Sequence, residues 1–389
     1  MTNTPADTII NVLDQVIQSA DKPAHLHEPR FNGNEWQYVK ECLDTGWVSS
    51  VGSYVNLFEE KLAEKCGVSH AILTVNGTAA LHTALILMGV KSGDEVIIPT
   101  LTFIATANAV TYCGATPHFV DSDAHTLGID AVKLDNYLAQ NTMQSNGNLI
   151  NKNTGKRIAA IVPVHIFGHA CNMVTLSTVA NKYNLPIISD AAEALGSFYH
   201  NKPLASYGDI SAVSFNGNKV ITTGGGGAIL TNDDKIAAHA KHITTTAKVP
   251  HKWDFVHDEI GYNYRMPNLN AALGCAQLEQ LDTFVESKRR LAERYIEKFS
   301  ENDAVRFIQE PEGCRSNYWL CAIQIHDAHK RNETLQSLHD NGYICRPIWK
   351  LMHTLPMFQN CPRMDLAIAG QLEQTIINLP SSVKLGLTQ

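Results

Sequence analysis

Seven short apolar runs, separated by stretches of helical spacing, constrain this chain more than any other feature. The runs cover 71–75, 95–99, 117–120, 158–164, 186–189, 210–215 and 228–230, with helical patterns at 79–88, 104–112 and 174–183 between them. That alternation predicts an α/β fold with a mainly parallel sheet and ligands at the carboxyl ends of its strands. The polar stretch 144–155 reads as an exposed loop or hairpin. Beyond Pro267 one long helix, through Ala271, Leu278 and Leu281 to about Phe299, leads into a smaller part. The expected division is an N-terminal extension over 1–25, a large domain over 26–284 and a smaller α+β domain over 285–389. Within the extension, Ile9, Ile10, Leu13, Val16 and Ile17 give a short amphipathic helix that docks on the body or on a partner subunit, with a fraying tail before it.

Composition enters mainly by exclusion. A chain of 389 residues, 44% hydrophobic and 18% charged, has the length for a large core. Its net charge of -7 gives no general nucleic-acid footprint. No apolar run approaches the roughly 20 residues of a membrane span, and the first residues lack the basic segment of a signal peptide. Nine cysteines, odd in number and without a CxxC pair, read as free thiols of a reducing compartment, hence the cytoplasm. Despite 17 histidines, no metal site is expected.

Four segments carry chemistry. Lys219 closes Ser214-Phe215-Asn216-Gly217-Asn218-Lys219 and precedes the bare tract Gly224-Gly225-Gly226-Gly227. A lysine at the end of a buried strand, next to backbone that cannot crowd a planar ring, suits imine formation with a carbonyl cofactor. Asp190 ends an apolar run, where a carboxylate can keep a pyridine nitrogen protonated or simply cap a helix. Gly77 and Thr78 open a helix after Asn76, so their amides suit a phosphate or merely make a turn. Phe103, after 95–99, is a ring platform or a core side chain. Weaker candidates are His165, which is equally a satisfied core histidine, and Arg265, which can pair with a ligand's carboxylate or with one of the protein's own.

Taken in order, six motifs resemble the fold-type I pyridoxal phosphate enzymes and, within them, the DegT-type nucleotide-sugar aminotransferases. They are Gly46-Trp47-Val48-Ser49-Ser50-Val51-Gly52, Asn76-Gly77-Thr78-Ala79-Ala80-Leu81, Pro163-Val164-His165-Ile166-Phe167-Gly168, Asp190-Ala191-Ala192-Glu193, Ser214 to Lys219, and Gly261-Tyr262-Asn263-Tyr264-Arg265-Met266. The resemblance implies a mainly parallel sheet of the seven-stranded type, pyridoxal 5'-phosphate as cofactor and a homodimer with shared active sites. It makes Lys219 the Schiff-base lysine and Asp190 the partner of the pyridine nitrogen. Gly77, Thr78 and Ser214 become phosphate ligands, Phe103 the stacking ring, and Asn263 the asparagine that reaches the phosphate from the other subunit. Two departures matter. Relatives commonly carry Gly-Glu-Gly-Gly where this chain has Gly224 to Gly227, and glutamine or histidine where it has Glu193, which can donate to the cofactor's phenolic oxygen only if protonated.

The implied reaction moves an amino group from L-glutamate to a keto-sugar nucleotide. Trp47, Ser49, Ser50, His165 and Tyr318 are the candidate substrate contacts, with Trp319 and His353 bordering them and core packing favoured for Trp319. A nicotinamide dehydrogenase would need G-x-G-x-x-G between a first strand and helix, which is missing. Related dehydratases commonly replace the lysine by histidine, and a non-catalytic regulator could lose it; Lys219 speaks against both. The segments around His27-Glu28-Pro29-Arg30 and 46–52 resemble most the branch that aminates C4 of UDP-4-keto-6-deoxy-N-acetylglucosamine, on routes to bacillosamine and legionaminic-type sugars.

Overall fold

A computed structural model describes residues 4–301 and 305–387. Among these, seven strands form one layer in the order His70–Thr74, Gly227–Thr231, Ile210–Ser214, Ile188–Asp190, Arg157–Ile161, Glu95–Pro99 and Thr116–Val120. Parallel bridges at Ile161–Ile187 and Val164–Asp190 join its two halves. Only Gly227–Thr231 runs against its neighbours. Successive residues of a strand point to opposite faces, and the core divides accordingly: Leu73, Ile97, Val213 and Leu230 bury on one side, Ile72, Val96, Ile98 and Ile229 on the other. A sheet covered on both faces leaves only strand ends open, so functional side chains gather there.

The stretch 142–151 is a hairpin of Thr142–Ser145 with Asn148–Asn151, turned by Asn146 and Gly147 at φ 48° and 76°. The single long helix expected after Pro267 is two, Asn268–Leu278 and Leu281–Phe299. At the break the Gln280 amide bonds back only three residues, to Gln277, while the Gln280 side chain reaches Glu35 at 2.6 Å. That tight turn redirects the second helix towards the smaller sheet.

The smaller sheet is antiparallel, ordered Val305–Phe307, Cys321–Ile325, Ile376–Leu379 and Arg346–Pro347. The N-terminal helix Pro5–Val16, fixed by a capping box between Thr4 and Asp7, buries Ile9, Leu13 and Val16 beside Leu291, Tyr295 and Tyr343 of this part. The tail expected to fray ahead of it, residues 1–3, lies outside the described residues. No described helix is long and apolar enough to cross a membrane.

Candidate active site

Register brings two of the motifs together. Gly227 pairs with Thr74 on one side and with Ser214 on the other, so the helix that starts at Gly77 opens beside Ser214. Asn76 caps that helix by accepting the Ala79 amide at 2.7 Å. The amides of Gly77 and Thr78, in the first turn, have no intrahelical acceptor and face outward with the positive end of the helix dipole. A side chain at Gly227 would put its Cβ 2.5 Å from the Asn76 carbonyl carbon, and one at Gly77 would sit 2.9 Å from Ser214 Cβ. Two free amides and a hydroxyl thus converge on bare backbone, a seat for a phosphate. Gly227→Ala is expected to cost about 1–3 kcal/mol through overpacking, read by chemical denaturation, and to weaken phosphate binding as well. Gly225 differs: a Cβ there would meet only the Val75 oxygen, at 3.8 Å, so the position that departs from the family pattern has room for a side chain.

Lys219 follows the strand Ile210–Ser214 by five residues, and its amine lies 3.5 Å from Glu193 Oε1 and 3.9 Å above the Trp319 ring centre. Trp319 is fixed by its Nε1, which donates to the Asn218 carbonyl at 2.7 Å. Asp190 is buried, its Oδ2 accepting from Thr106 Oγ1 at 2.7 Å and its Oδ1 from the Ala192 amide at 3.2 Å. Burial pushes its carboxyl above the usual range, against the pull of those bonds and of the Lys219 charge. A cation placed on its remaining lone pairs would restore the carboxylate.

Glu193 Oε2 accepts the Phe167 amide at 2.8 Å. Burial moves its carboxyl from 4.5 up to about 7, against the Lys219 charge and the Phe167 bond, with the Asp190 charge adding to the rise. The folded state therefore holds this proton where the unfolded chain has lost it. Stability of the cofactor-free protein should fall as pH rises from about 4.5 to about 7, and Glu193→Gln should flatten that part of the curve. An unchanged slope in denaturant titrations would contradict the assignment.

The remaining candidates divide. Phe103 is 53% exposed at the start of helix Ile104–Tyr112, edge-on to Trp349 at 6.3 Å, so one face is open for stacking. His165 is fully buried with both nitrogens engaged, Nε2 with Ser189 Oγ at 2.9 Å and Nδ1 accepting the Cys171 amide at 3.3 Å. Burial depresses it to about 3, so it is a neutral core histidine with nothing left for a substrate. Tyr318 is buried too; its hydroxyl accepts the Glu310 amide at 3.1 Å, and its φ of 45° turns the chain so that Trp319, rather than Tyr318, meets Lys219. Arg265 pairs with Glu59 at 2.5 Å, which settles it as a partner of the protein's own carboxylate. Trp47 and Ser49 are exposed on a loop whose carbonyls bond Asn268, at 2.7 and 2.8 Å; Ser50 is half-buried, and Asn263 is exposed beside Thr245. No described hydrogen bond or ring contact joins these four to Lys219 within one chain.

Asn317 escaped the sequence reading. Its Nδ2 bonds the carbonyls of Glu193 and Leu195, both at 2.8 Å, and its Oδ1 accepts the Trp319 amide at 2.7 Å, so it ties Glu193 to Trp319 across the two parts of the molecule. Only a polar pair, Ser316-Asn317, directly ahead of two aromatics marks it in the sequence.

Comparison with known proteins gives one consistent result. The profile described as the DegT/DnrJ/EryC1/StrS aminotransferase family matches residues 29–389. GDP-perosamine synthase from Caulobacter vibrioides is 40% identical over 366 residues, 93% of each chain. A UDP-4-amino-4,6-dideoxy-N-acetyl-beta-L-altrosamine transaminase from Campylobacter jejuni is 36% identical over 255 residues, 64% of this chain and 63% of its own. Among solved structures, Helicobacter pylori PseC, an aminotransferase involved in the biosynthesis of pseudoaminic acid, superposes with a TM-score of 0.83 at 26% identity, covering 91% of this chain and 92% of that one.

Proposed function

The chain belongs to the DegT/DnrJ/EryC1/StrS aminotransferase family, and from that premise we propose that it aminates C4 of UDP-4-keto-6-deoxy-N-acetylglucosamine with L-glutamate as donor. That it is a pyridoxal phosphate-dependent nucleotide-sugar aminotransferase follows from the family; the sugar, the nucleotide and the residue roles are our reading. The observation that carries it is the Lys219 amine at the end of one strand, with the buried Asp190 carboxylate at the end of the next.

The residues fit the cofactor. Gly77, Thr78 and Ser214 would hold its phosphate, Asp190 its ring nitrogen, Phe103 its face and Lys219 its carbonyl carbon. When bound, the cofactor supplies an electron sink for the carbanion formed at the donor's α-carbon. The chain does the rest. Lys219, as a free amine, would take the α-proton from the donor's carbon and give it back. Asp190 keeps its partner protonated, and Phe103 with the Trp349 and Phe167 rings keeps water from the face of the site. The keto sugar then runs the same proton movements in reverse.

The 4-amino-6-deoxy assignment is supported by the name of the Campylobacter relative and by the segments 27–31 and 46–52. An N-acetyl group needs hydroxyl and amide partners, a C6 methyl needs an apolar wall and a diphosphate needs donors. Trp47, Val48, Ser49 and Ser50 supply the first two; Lys248, His251 and Lys252, on the hairpin of Lys248–Val249 with Val256–His257, supply the third. A second copy completes the site through Asn263. The exposure of Trp253, Phe255 and Ile260 in the same segment, at 70%, 80% and 83%, supports a covering surface there. The cytoplasm is the compartment this reading requires.

Two experiments test these points. Incubation with glutamate and UDP-, GDP- or dTDP-linked 4-keto sugars, and a 3-keto analogue, should yield amino sugar only from the UDP-linked 4-keto substrate; turnover of the GDP-linked sugar alone would shift the assignment to the perosamine type. Mixing Lys219→Ala with Asn263→Ala subunits should restore activity, because one hybrid site then carries neither lesion. A fully active monomer would contradict the shared site.

A further inference from the structure

Lys219 is flanked on two sides by groups that favour its charged form. Glu193 Oε1 lies 3.5 Å from Nζ, and the Trp319 ring centre lies 3.9 Å from it. All three side chains are largely enclosed, with Lys219 14% and Glu193 5% exposed, so water screens neither contact well. The two partners are held independently of the lysine: Glu193 by the Phe167 amide at 2.8 Å, Trp319 by the Asn218 carbonyl at 2.7 Å. Asn317 links their backbones, bonding the Glu193 carbonyl at 2.8 Å and the Trp319 amide at 2.7 Å.

We propose that Glu193 and Trp319 form a proton-holding seat for Lys219, stabilising its ammonium from two sides so that the amine takes the donor's α-proton more strongly and keeps it until delivery. The inference rests on the reading of Lys219 as the reacting amine. In the step itself the C–H bond breaks, its electron pair stays with the carbon, and the Lys219 lone pair binds the proton. The reverse movement returns that proton, so no oxidant or further reactant is needed. Glu193 and Trp319 are thus positioning residues that act through the lysine.

The surrounding charges agree. Burial sets the Glu193 carboxyl near neutrality, at about 7, so the seat carries its negative charge above that pH and loses it below. Asp190 pushes Glu193 towards its neutral form while Lys219 holds it ionised. His27, the other titratable ring that feels Lys219, is kept uncharged by burial and by the charges of Lys288 and Lys219.

Competitive acetylation of the cofactor-free enzyme by trace acetic anhydride tests this, with Lys219 read by peptide mass spectrometry against exposed lysines. Only the neutral amine reacts, so the rate at which Lys219 labels in the wild type, set against its rate in variants of the two partners, reads what each partner contributes. Glu193→Gln, which keeps the shape and an acceptor for Phe167, should label about tenfold faster; Trp319→Leu should do likewise, and Trp319→Phe, which keeps a ring face, should restore protection. In loaded enzyme the same order should hold for the glutamate half-reaction, with kcat lowered, KM little changed and the pH profile displaced. Unchanged labelling in Glu193→Gln, or equal labelling in the Phe and Leu variants, would overturn the proposal. So would altered labelling without any change in the half-reaction. Should Trp319→Leu fail to fold, Glu193→Gln and Trp319→Phe decide alone. A Lys219 that proved dispensable for turnover would remove the premise while leaving the labelling result standing.

Discussion

Lys219→Ala should lose turnover by about 10⁴-fold or more, and the purified protein should lose its yellow colour. On the proposed reading the lysine enters twice: it would hold the cofactor's carbonyl carbon, and as a free amine it would take up and return the donor's α-proton. Lys288, buried beside the smaller sheet, is already engaged, with its Nζ donating to the Ser381 carbonyl. Fold and stability should change little, because the side chain's main contacts are with Glu193 and Trp319 alone. Retention of wild-type turnover, with unchanged circular dichroism, would show that the reacting amine is elsewhere.

Asp190→Asn is the second large effect, a loss of roughly 10²–10⁴-fold in the glutamate half-reaction with cofactor still bound. The asparagine keeps the size of the side chain and a carbonyl oxygen for Thr106, but it brings no negative charge to a ring nitrogen. Burial already pushes the carboxyl towards neutrality, so loss of its charge costs the fold little; what it does cost is the acceptor of the Ala192 amide, which the asparagine nitrogen cannot replace. Single-turnover kinetics are the measurement, and an undiminished rate would count against Asp190 as the nitrogen's partner. Thr106→Val offers a graded check: loss of the 2.7 Å bond should raise the carboxyl further and lower the rate by a smaller factor.

The fold was readable because its code is local. Each of the seven strands is visible as an apolar run, several of them set apart by helical spacing, and a strand buried on both faces needs little else. The break at Gln280 was invisible for the opposite reason: it depends on Glu35, which is 245 residues away in sequence and accepts the Gln280 amide. The same holds at the site. Asp190 ends its strand, and Gly77 and Lys219 lie a few residues beyond theirs, where local pattern points to them. Trp319 and Asn317 lie about a hundred residues beyond the lysine in sequence, next to a strand of the smaller sheet, and reach it only through tertiary packing, which no periodicity encodes. His165 illustrates the converse limit. A histidine after a strand looks available, and only the Ser189 and Cys171 contacts reveal that both its nitrogens are spent. The loop at 46–52 and Asn263 remain exposed in one chain, so their reading turns on a second copy that sequence alone cannot place.

Transamination at C4 is tested most directly by following nitrogen itself. Purified enzyme loaded with pyridoxal phosphate is given ¹⁵N-glutamate and the UDP-linked 4-keto-6-deoxy sugar, and product is analysed by mass spectrometry and NMR. ¹⁵N should be bonded to C4 of the sugar, with one 2-oxoglutarate formed for each amino sugar and no exchange of label with ammonia. Sugar that loses water without gaining nitrogen, or an absence of 2-oxoglutarate in enzyme that has its cofactor bound, would contradict transamination as the activity of this site.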